Sequence, residues 1–404
     1  MMLGSPATGE NFFGRRQELD DLWRYLLSDH IRFPGVRRLG KTSILKRLVD
    51  EAPAHGVLAH WIDVSNVHSA EELIDRLDQA FPAQAVTHFL GELGEKAAHG
   101  WRRLRKISGS LPTVVGGGGF SVDLDASAAP TWQKQAAALQ ERLQNQPLLI
   151  LLDEFPVMLD NLIQQSPLAA RQVLAWLRIW RQAPGECRFV FTGSIGLQFL
   201  LERQGLADLM NDPYPYPLGP FKQAEARQLW RHFAAAGETP WQIDDPVIDH
   251  ALERIGWLSP FFLCLLLEGS RQAARDRRQE CLPAPSDPPR IEREDVDAAY
   301  ELLLAERSRF HHWEKRLKDA LPDDDHSFCL ALLTLLSRSP KGLTLGQLSR
   351  RLAKREANAE RRAQRIQDLL LRLTDEGYTS PPDAGSRVQF LSFPLRDWWQ
   401  RNHV

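Results

Sequence analysis

The sequence predicts an α/β domain with a parallel sheet, followed by an all-helical domain and a C-terminal winged-helix domain. Three observations carry this. Two short runs, "PLLILLDEF" at 147–155 and "CRFVFTGS" at 187–194, have the continuous apolar character of strands buried on both faces. Helical periodicity fills the intervals, and strands that alternate with helices build parallel sheets. After about residue 205 the pattern turns nearly all-helical, and from 326 three helices precede one alternating segment. At 404 residues the chain exceeds one ordinary core, so domains are expected over 1–205, 206–325 and 326–404.

Taken in order, "NFFGRRQELDDLWRYLL" reads as an amphipathic helix entered through Gly14. "SDHIRFP" at 28–34 is a poor strand, with Arg32 inside it and Pro34 at its end. It is expected to be edge-like or locally strained, with Arg32 snorkelling or paired. "SILKRLVD" at 43–50 is a helix and "GVLAHWIDVS" at 56–65 a strand. Ser69 and Glu72 form a capping-box start for "AEELIDRLDQAF". Residues 100–130 interrupt the alternation with a basic, then glycine-rich stretch, read as a loop or hairpin excursion. Its "GGGG" is followed by neither a helix nor a lysine, so it is a plain loop rather than a phosphate cradle. Residues 166–182 are helical, as are 222–236, 246–275 and 292–318, with "LPAPSDPPR" at 282–290 a proline-rich connector.

Composition excludes several classes. With a formal net charge of −2 no global field draws the molecule to nucleic acid or to an anionic membrane. Cys187, Cys264, Cys281 and Cys329 are scattered, with no C-x-x-C pair to suggest zinc or a disulfide framework. Such thiols fit a reducing cytosol, and a cytoplasmic location is expected. The N-terminus lacks the long apolar region of a signal peptide, and the longest apolar runs are too short to span a bilayer.

"GVRRLGKTS" comprises Gly35, Val36, Arg37, Arg38, Leu39, Gly40, Lys41, Thr42 and Ser43. Two glycines five apart followed by Lys and Thr suit a phosphate-binding loop. The glycines let backbone N–H groups curl round phosphates, and the helix N-terminus adds positive partial charge. Lys41 would bridge the β- and γ-phosphates, and the Thr42 hydroxyl would hold Mg²⁺. A basic, glycine-containing turn is the bland alternative. "LLILLDEF" argues against it by supplying a carboxylate pair at a strand end. Asp153 would meet the metal directly or through water, and Glu154 would polarise the attacking water. In "FTGS", Thr192 or Ser194 would reach the γ-phosphate or its water, unless the segment is simply a strand-ending turn. ATP with Mg²⁺ is the expected ligand.

Together "FFGRRQEL", "GVRRLGKTS", "LLILLDEF" and "FTGS", in this order, resemble the archaeal-type ATPase family. That family lies within the STAND class of P-loop NTPases, relatives of the AAA+ and origin-recognition ATPases. The resemblance extends to "YPLGPFKQAEARQLW", "GWLSPFFLCLLLE" and "FLSFPLRDWW", and the double arginine of Arg37 and Arg38 is its most specific feature. It implies a P-loop ATPase core, a helical lid and a C-terminal winged helix. It implies that Phe13, Gly14 and Arg15 lie near the adenine and the outer edge of the nucleotide. It places Pro260 in a turn facing the base, although "GWLSP" departs from the usual Gly–Gly or Gly–Pro pair. From its residues alone, Phe13 can equally staple a helix start.

In the last domain Arg361, Arg362 and Arg365 are expected on the surface opposite Ile366, Leu369, Leu370 and Leu373. They are either a DNA-contacting face or a solvated one offset by nearby acids. Arg171, Arg178, Arg181 and Arg188 are candidates for a finger completing a neighbouring copy's site. The expected function is a slow ATPase switch acting through a separately encoded partner, with defence against foreign DNA or genome-associated work among the family's roles. ATP and ADP are the expected ligands; DNA and a homo-oligomer are held open as partners. The alternative is a DNA-binding regulator whose nucleotide site is structural or degenerate. A kinase is disfavoured because Glu154 after Asp153 suits activation of water.

Overall fold

A computed structural model describes residues 5–91, 131–193, 196–236, 240–280, 288–382 and 386–403. The glycine-rich stretch at 100–130, Ser194 and most of the 282–290 connector lie outside the described residues. Two compact units emerge. One comprises residues 15–35 and 41–218; the other comprises 1–14, 36–40 and 219–404.

The first unit is the α/β domain. Its strands are β1 (Ile31–Pro34), β2 (Leu58–Asp63), β3 (Leu148–Asp153), β4 (Arg188–Gly193) and β5 (Tyr214–Pro215). They form one sheet in the order β2-β3-β4-β1-β5, with every pairing parallel. All six residues of β3 and of β4 are buried, as their unbroken apolar runs require of strands covered on both faces. Helices Phe155–Gln165 and Pro167–Gln182 contribute Phe155, Met158, Leu159, Val173, Leu174 and Leu177 to a cluster with Phe189 and Phe191. Ser166 caps the second of these, its hydroxyl accepting from the Ala169 N–H at 3.2 Å.

The feeding strand corrects one expectation. β1 is not an edge: it lies between β4 and the two-residue β5. Ile31 and Phe33 point into the core, while the Arg32 guanidinium donates to Gln198 Oε1 at 2.6 Å. The real edge is the proline-rich "YPYPL", in which no strand was expected. There the N–H groups of Tyr214, Tyr216 and Leu218 donate in turn to the carbonyls of His30, Arg32 and Pro34. Pro215 and Pro217 fall at the alternate positions, where an edge strand needs no inward donor. The expected capping box is shifted too. Ser69 Oγ accepts from Glu72 N at 3.2 Å, but the Glu72 carboxylate accepts from the N–H of His68, one residue early.

The second unit is helical apart from isolated bridges. Two of the stretches expected to be helical each hold two helices. One forms Asp245–Ile255 and Pro260–Glu280, the other Arg293–Ala305 and Arg307–Ala320. At the first break Gly256 has φ +70, and a Cβ there would meet the Phe393 ring at 2.7 Å. Helix Pro260–Glu280 approaches Arg293–Ala305 closely through Gly269, where an added Cβ would lie 3.0 Å from Ala299 Cβ. Helices Asp323–Ser337, Leu345–Arg351, Ala359–Asp375 and Phe393–His403 follow. Among the described residues the alternating "RVQFLSF" makes two antiparallel bridges, Leu343 with Val388 and Thr379 with Phe390. One apolar cluster runs from Phe221 to Trp399, so the boundary expected at 325/326 falls inside continuous packing.

Candidate functional site

The carboxyl ends of β1, β3 and β4 define the site. Pairing sets Pro34 beside Gly193 and Asp63 beside Asp153, so these strands finish near a common level. Ligands of open parallel sheets bind in the crevice at such carboxyl ends. From β1 the chain passes through Gly35–Gly40 into helix Lys41–Glu51. Gly40 has φ +92, a conformation that favours glycine at the turn into the helix.

The ends of the loop carry the expected chemistry. Lys41 is 7% exposed and Asp153 4%, unusual burial for charged side chains. The Lys41 ammonium donates to the Gly35 carbonyl, closing the loop on itself. A Cβ on Gly35 would lie 3.2 Å from Leu218 Cβ and 3.4 Å from Lys41 Cδ, so the small residue keeps this fold-back uncrowded. Thr42 Oγ1 donates to Asp153 Oδ2 at 2.7 Å. The motif residues of the loop and of β3 therefore meet, as their spacing predicted. Asp153 Oδ1 accepts the Glu154 N–H at 3.0 Å. A hydroxyl and a carboxylate suit Mg²⁺, a hard cation that takes few protein oxygens and completes its shell with water and phosphate. The residues thus fit the metal and the nucleotide. Among the described residues there is no group of three or more His, Cys, Asp or Glu side chains able to hold a metal by themselves.

Trp61 on β2 was missed by the sequence reading. Its indole N–H donates to Asp153 Oδ2 at 3.1 Å, and Lys46 Nζ lies 4.7 Å from the centre of its ring. The strand at 56–65 was expected, but the partner of a strand tryptophan depends on register, which a single sequence does not reveal.

The middle of the loop, Val36–Gly40, belongs to the second compact unit. There the Arg38 guanidinium carbon lies 3.8 Å from the centre of the Phe261 ring and 5.6 Å from that of Trp313. The Arg38 carbonyl accepts from Ser259 Oγ at 2.8 Å. Val36 packs on Gly377, where a Cβ would meet Val36 Cγ1 at 2.1 Å. Pro260, expected to face the base, opens a helix half-buried, and it is its neighbour Ser259 that touches the loop.

Among the described residues three non-glycine residues have positive φ: Arg15 (61°), Arg38 (67°) and Glu154 (57°). Each belongs to the set expected around the nucleotide. Such conformations cost roughly 1–3 kcal/mol apiece and concentrate where function over-determines the backbone. Glu154 uses its conformation to turn β3 directly into helix Phe155–Gln165. Gly193 faces that turn, and a Cβ there would lie 2.2 Å from Pro156 Cδ. The Thr192 hydroxyl is buried and has no hydrogen-bond partner among the described residues, consistent with a polar group kept for a ligand or water.

At the N-terminus Phe13 lies against His232 and Phe233, with ring centres 5.2 and 6.1 Å apart. Gly14 has φ +71, and a Cβ there would strike Glu225 Oε1 at 2.3 Å. Arg15 is 3% exposed and pairs with Glu18 at 2.6 Å.

The remaining arginines depart from expectation. Arg362 is buried, donating to Ser349 Oγ and to the Glu356 and Ala357 carbonyls, so it does not join an outer face. Arg365 is held by Asp324 and Asp325, each at 2.7 Å, and lies over Phe328. Arg361 is exposed, 3.4 Å from Glu356. The finger candidates are likewise engaged within their own chain. Arg171 donates to the Gly205 carbonyl and Arg178 to that of Asp208. Arg181 forms a two-pronged pair with Asp212, and Arg188 donates to the Gly185 and Cys187 carbonyls.

No family model matches the chain, and no curated protein matches it in sequence. Solved structures do match in fold. The Walker-type ATPase PABY2304 of Pyrococcus abyssi superposes with a TM-score of 0.58 at 15% identity, over 98% of this chain and 99% of that one. The Aeropyrum pernix ORC2 protein, solved in ADPNP–ADP complexes, gives 0.55 at 16% identity, over 97% and 95%. No helix among the described residues is long and apolar enough to cross a membrane. The α/β core with its parallel sheet, continuing into helical regions, is therefore the fold of these ATPases.

Proposed function

We propose that this chain binds ATP with Mg²⁺ at the Gly35–Ser43 loop and hydrolyses it slowly. The observation that carries the reading is the 2.7 Å bond between Thr42 Oγ1 and Asp153 Oδ2, which brings two motifs, far apart in sequence, to one point beside a buried lysine. Bound magnesium would supply neutralisation of phosphate charge. Lys41, which donates to the Gly35 carbonyl, would donate to phosphate oxygens when ATP is bound. The Thr42 hydroxyl and the Asp153 carboxylate would hold the metal, directly or through its waters. The Glu154 carboxylate accepts the proton of the attacking water, and the Thr192 hydroxyl orients that water or the terminal phosphate. Ser194 belongs to the same reading.

The switch follows from the loop's two attachments. Its middle is gripped by Ser259, Phe261, Trp313 and Gly377, so a change at Lys41 is transmitted along the backbone to those residues. Coupling requires contacts that differ between the ATP and ADP states, and this grip is a contact able to differ. We read residues 326–404 as a winged helix, supported by three helices and by two antiparallel bridges, one of which joins Leu343, between the first two helices, to Val388. In this reading the switch acts through a separately encoded partner in the cytoplasm, in defence against foreign DNA or in a genome-associated process. Of the three arginines proposed for DNA contact, only Arg361 keeps an exposed side chain, so the DNA-binding alternative is the weaker reading.

The test is equilibrium binding of labelled ATP to the parent and to Lys41→Ala. Loss of about 100-fold or more in affinity is expected from removing the phosphate-bridging charge. Equal affinities would refute the site.

A further inference from the structure

We infer that Trp61 is a positioning residue for the metal-binding carboxylate. This rests on the nucleotide-site reading and extends it to a residue that no motif names. β2 and β3 pair with Trp61 beside Leu151 and Asp63 beside Asp153. Residues two apart on a strand share a face, so Trp61 and Asp153 are diagonal neighbours on one face of the sheet. The indole N–H reaches Asp153 Oδ2 at 3.1 Å.

The same oxygen also accepts the Thr42 hydroxyl, and Oδ1 accepts the N–H of Glu154. These three donors differ in what they can do when metal arrives. The Thr42 hydroxyl has lone pairs and turns to the cation as a ligand. The Glu154 N–H is fixed by backbone. An indole N–H is a donor only and cannot become a ligand. Trp61 therefore keeps its bond to the carboxylate in both states and holds its plane while Thr42 leaves. Lys46, one turn into the helix that follows the loop, lies over the ring face, a cation–π arrangement. The ring thus joins that helix to the acid on β3. Partners of this kind, which orient a ligand without touching the metal, typically change metal affinity by about 10- to 100-fold when removed.

The experiment compares the parent with Trp61→Phe, which keeps a ring beneath Lys46 but lacks the N–H. Affinity for a non-hydrolysable ATP analogue is measured in Mg²⁺ and in EDTA, with the denaturant midpoint as a check of folding. The inference expects the Mg²⁺-dependent gain to shrink by about tenfold while the EDTA affinity stays at the parent's value. A gain equal to the parent's overturns it, as does an equal loss in both conditions, which marks a merely structural residue. A second measurement uses ¹⁵N-indole-labelled protein, in which one of the 12 tryptophan N–H signals is assigned to Trp61 by its absence from the variant. Trp61→Leu serves the assignment if Trp61→Phe does not fold. That signal should persist, shifted, with Mg²⁺ and analogue together, and should not shift with analogue in EDTA; an unmoved signal in Mg²⁺ overturns the inference. Absence of any Mg²⁺-dependent binding by the parent defeats the nucleotide site itself, and the inference with it. A parent that binds beside a variant that matches it defeats the inference alone.

Discussion

The two ends of the phosphate-binding loop and its middle are held by different physics. At the ends, Lys41 closes on the Gly35 carbonyl and Thr42 meets Asp153, polar contacts within the α/β unit. In the middle, Val36 lies on Gly377 and Arg38 lies over Phe261 and Trp313, contacts of shape and of a cation with aromatic faces. In the proposed reading, the ends are built from groups that a triphosphate and its metal would compete for directly. The middle is held through the side chains of Val36 and Arg38, which pack on residues of the second unit. Ligand chemistry and its transmission can therefore be damaged separately.

The largest effect is expected at the ends. Asp153→Ala removes the metal-binding carboxylate, and phosphate release should slow by about 100-fold or more with the fold intact. Next is the middle. Gly377→Ala forces a side chain into a backbone with φ +81 and into Val36, and should lower unfolding free energy by about 2–3 kcal/mol. Denaturant unfolding measures that loss, and a change in nucleotide affinity with Lys41, Thr42 and Asp153 all present would sharpen the comparison.

A third prediction concerns the strand that feeds the loop. His30 Nδ1 accepts the Phe189 N–H at 3.1 Å while Nε2 lies 3.0 Å from the Arg181 carbonyl, an arrangement that needs the neutral ring. Burial, followed by the charge of Arg188, lowers its pKa from 6.5 to about 4. The unfolded chain therefore binds a proton that the folded one refuses as pH falls through 6.5 towards 4. Stability is full well above pH 6.5 and should decline by about 3 kcal/mol by pH 4, at up to about 1.4 kcal/mol per pH unit. His30→Gln should flatten this part of a pH-dependent melting curve. The smallest effect is expected from Arg38→Met, which keeps the apolar stem and loses a cation–π contact of about 1 kcal/mol. Unfolding should register that change while phosphate release in saturating ATP stays near the parent's rate.

The same contrast explains what was legible. The meeting of Thr42 with Asp153 beside the buried Lys41 could be anticipated because both motifs are short and local. β3 and β4 were readable because burial on both faces leaves unbroken apolar runs. β5 was hidden because two prolines disguise an edge strand whose donors come from alternate residues. Arg38 was noticed as half of a double arginine, but its position over Phe261 and Trp313 depends on residues more than 200 positions away. Arg362 and Arg365 looked like a solvated face because spacing shows which way a residue leaves a helix, not which acids or carbonyls await it. Trp61 required the register of β2 on β3.

The most direct measurement is a double-mutant cycle on Thr42→Ala and Asp153→Asn, with affinity for a non-hydrolysable ATP analogue read in Mg²⁺ and in EDTA. If the two side chains share one magnesium ion, each single variant loses about tenfold or more in Mg²⁺, and the double variant loses much less than the sum of the two in free energy. In EDTA the four proteins should then bind nearly alike. Additive losses in Mg²⁺, or a parent whose affinity ignores the metal, would contradict a shared site.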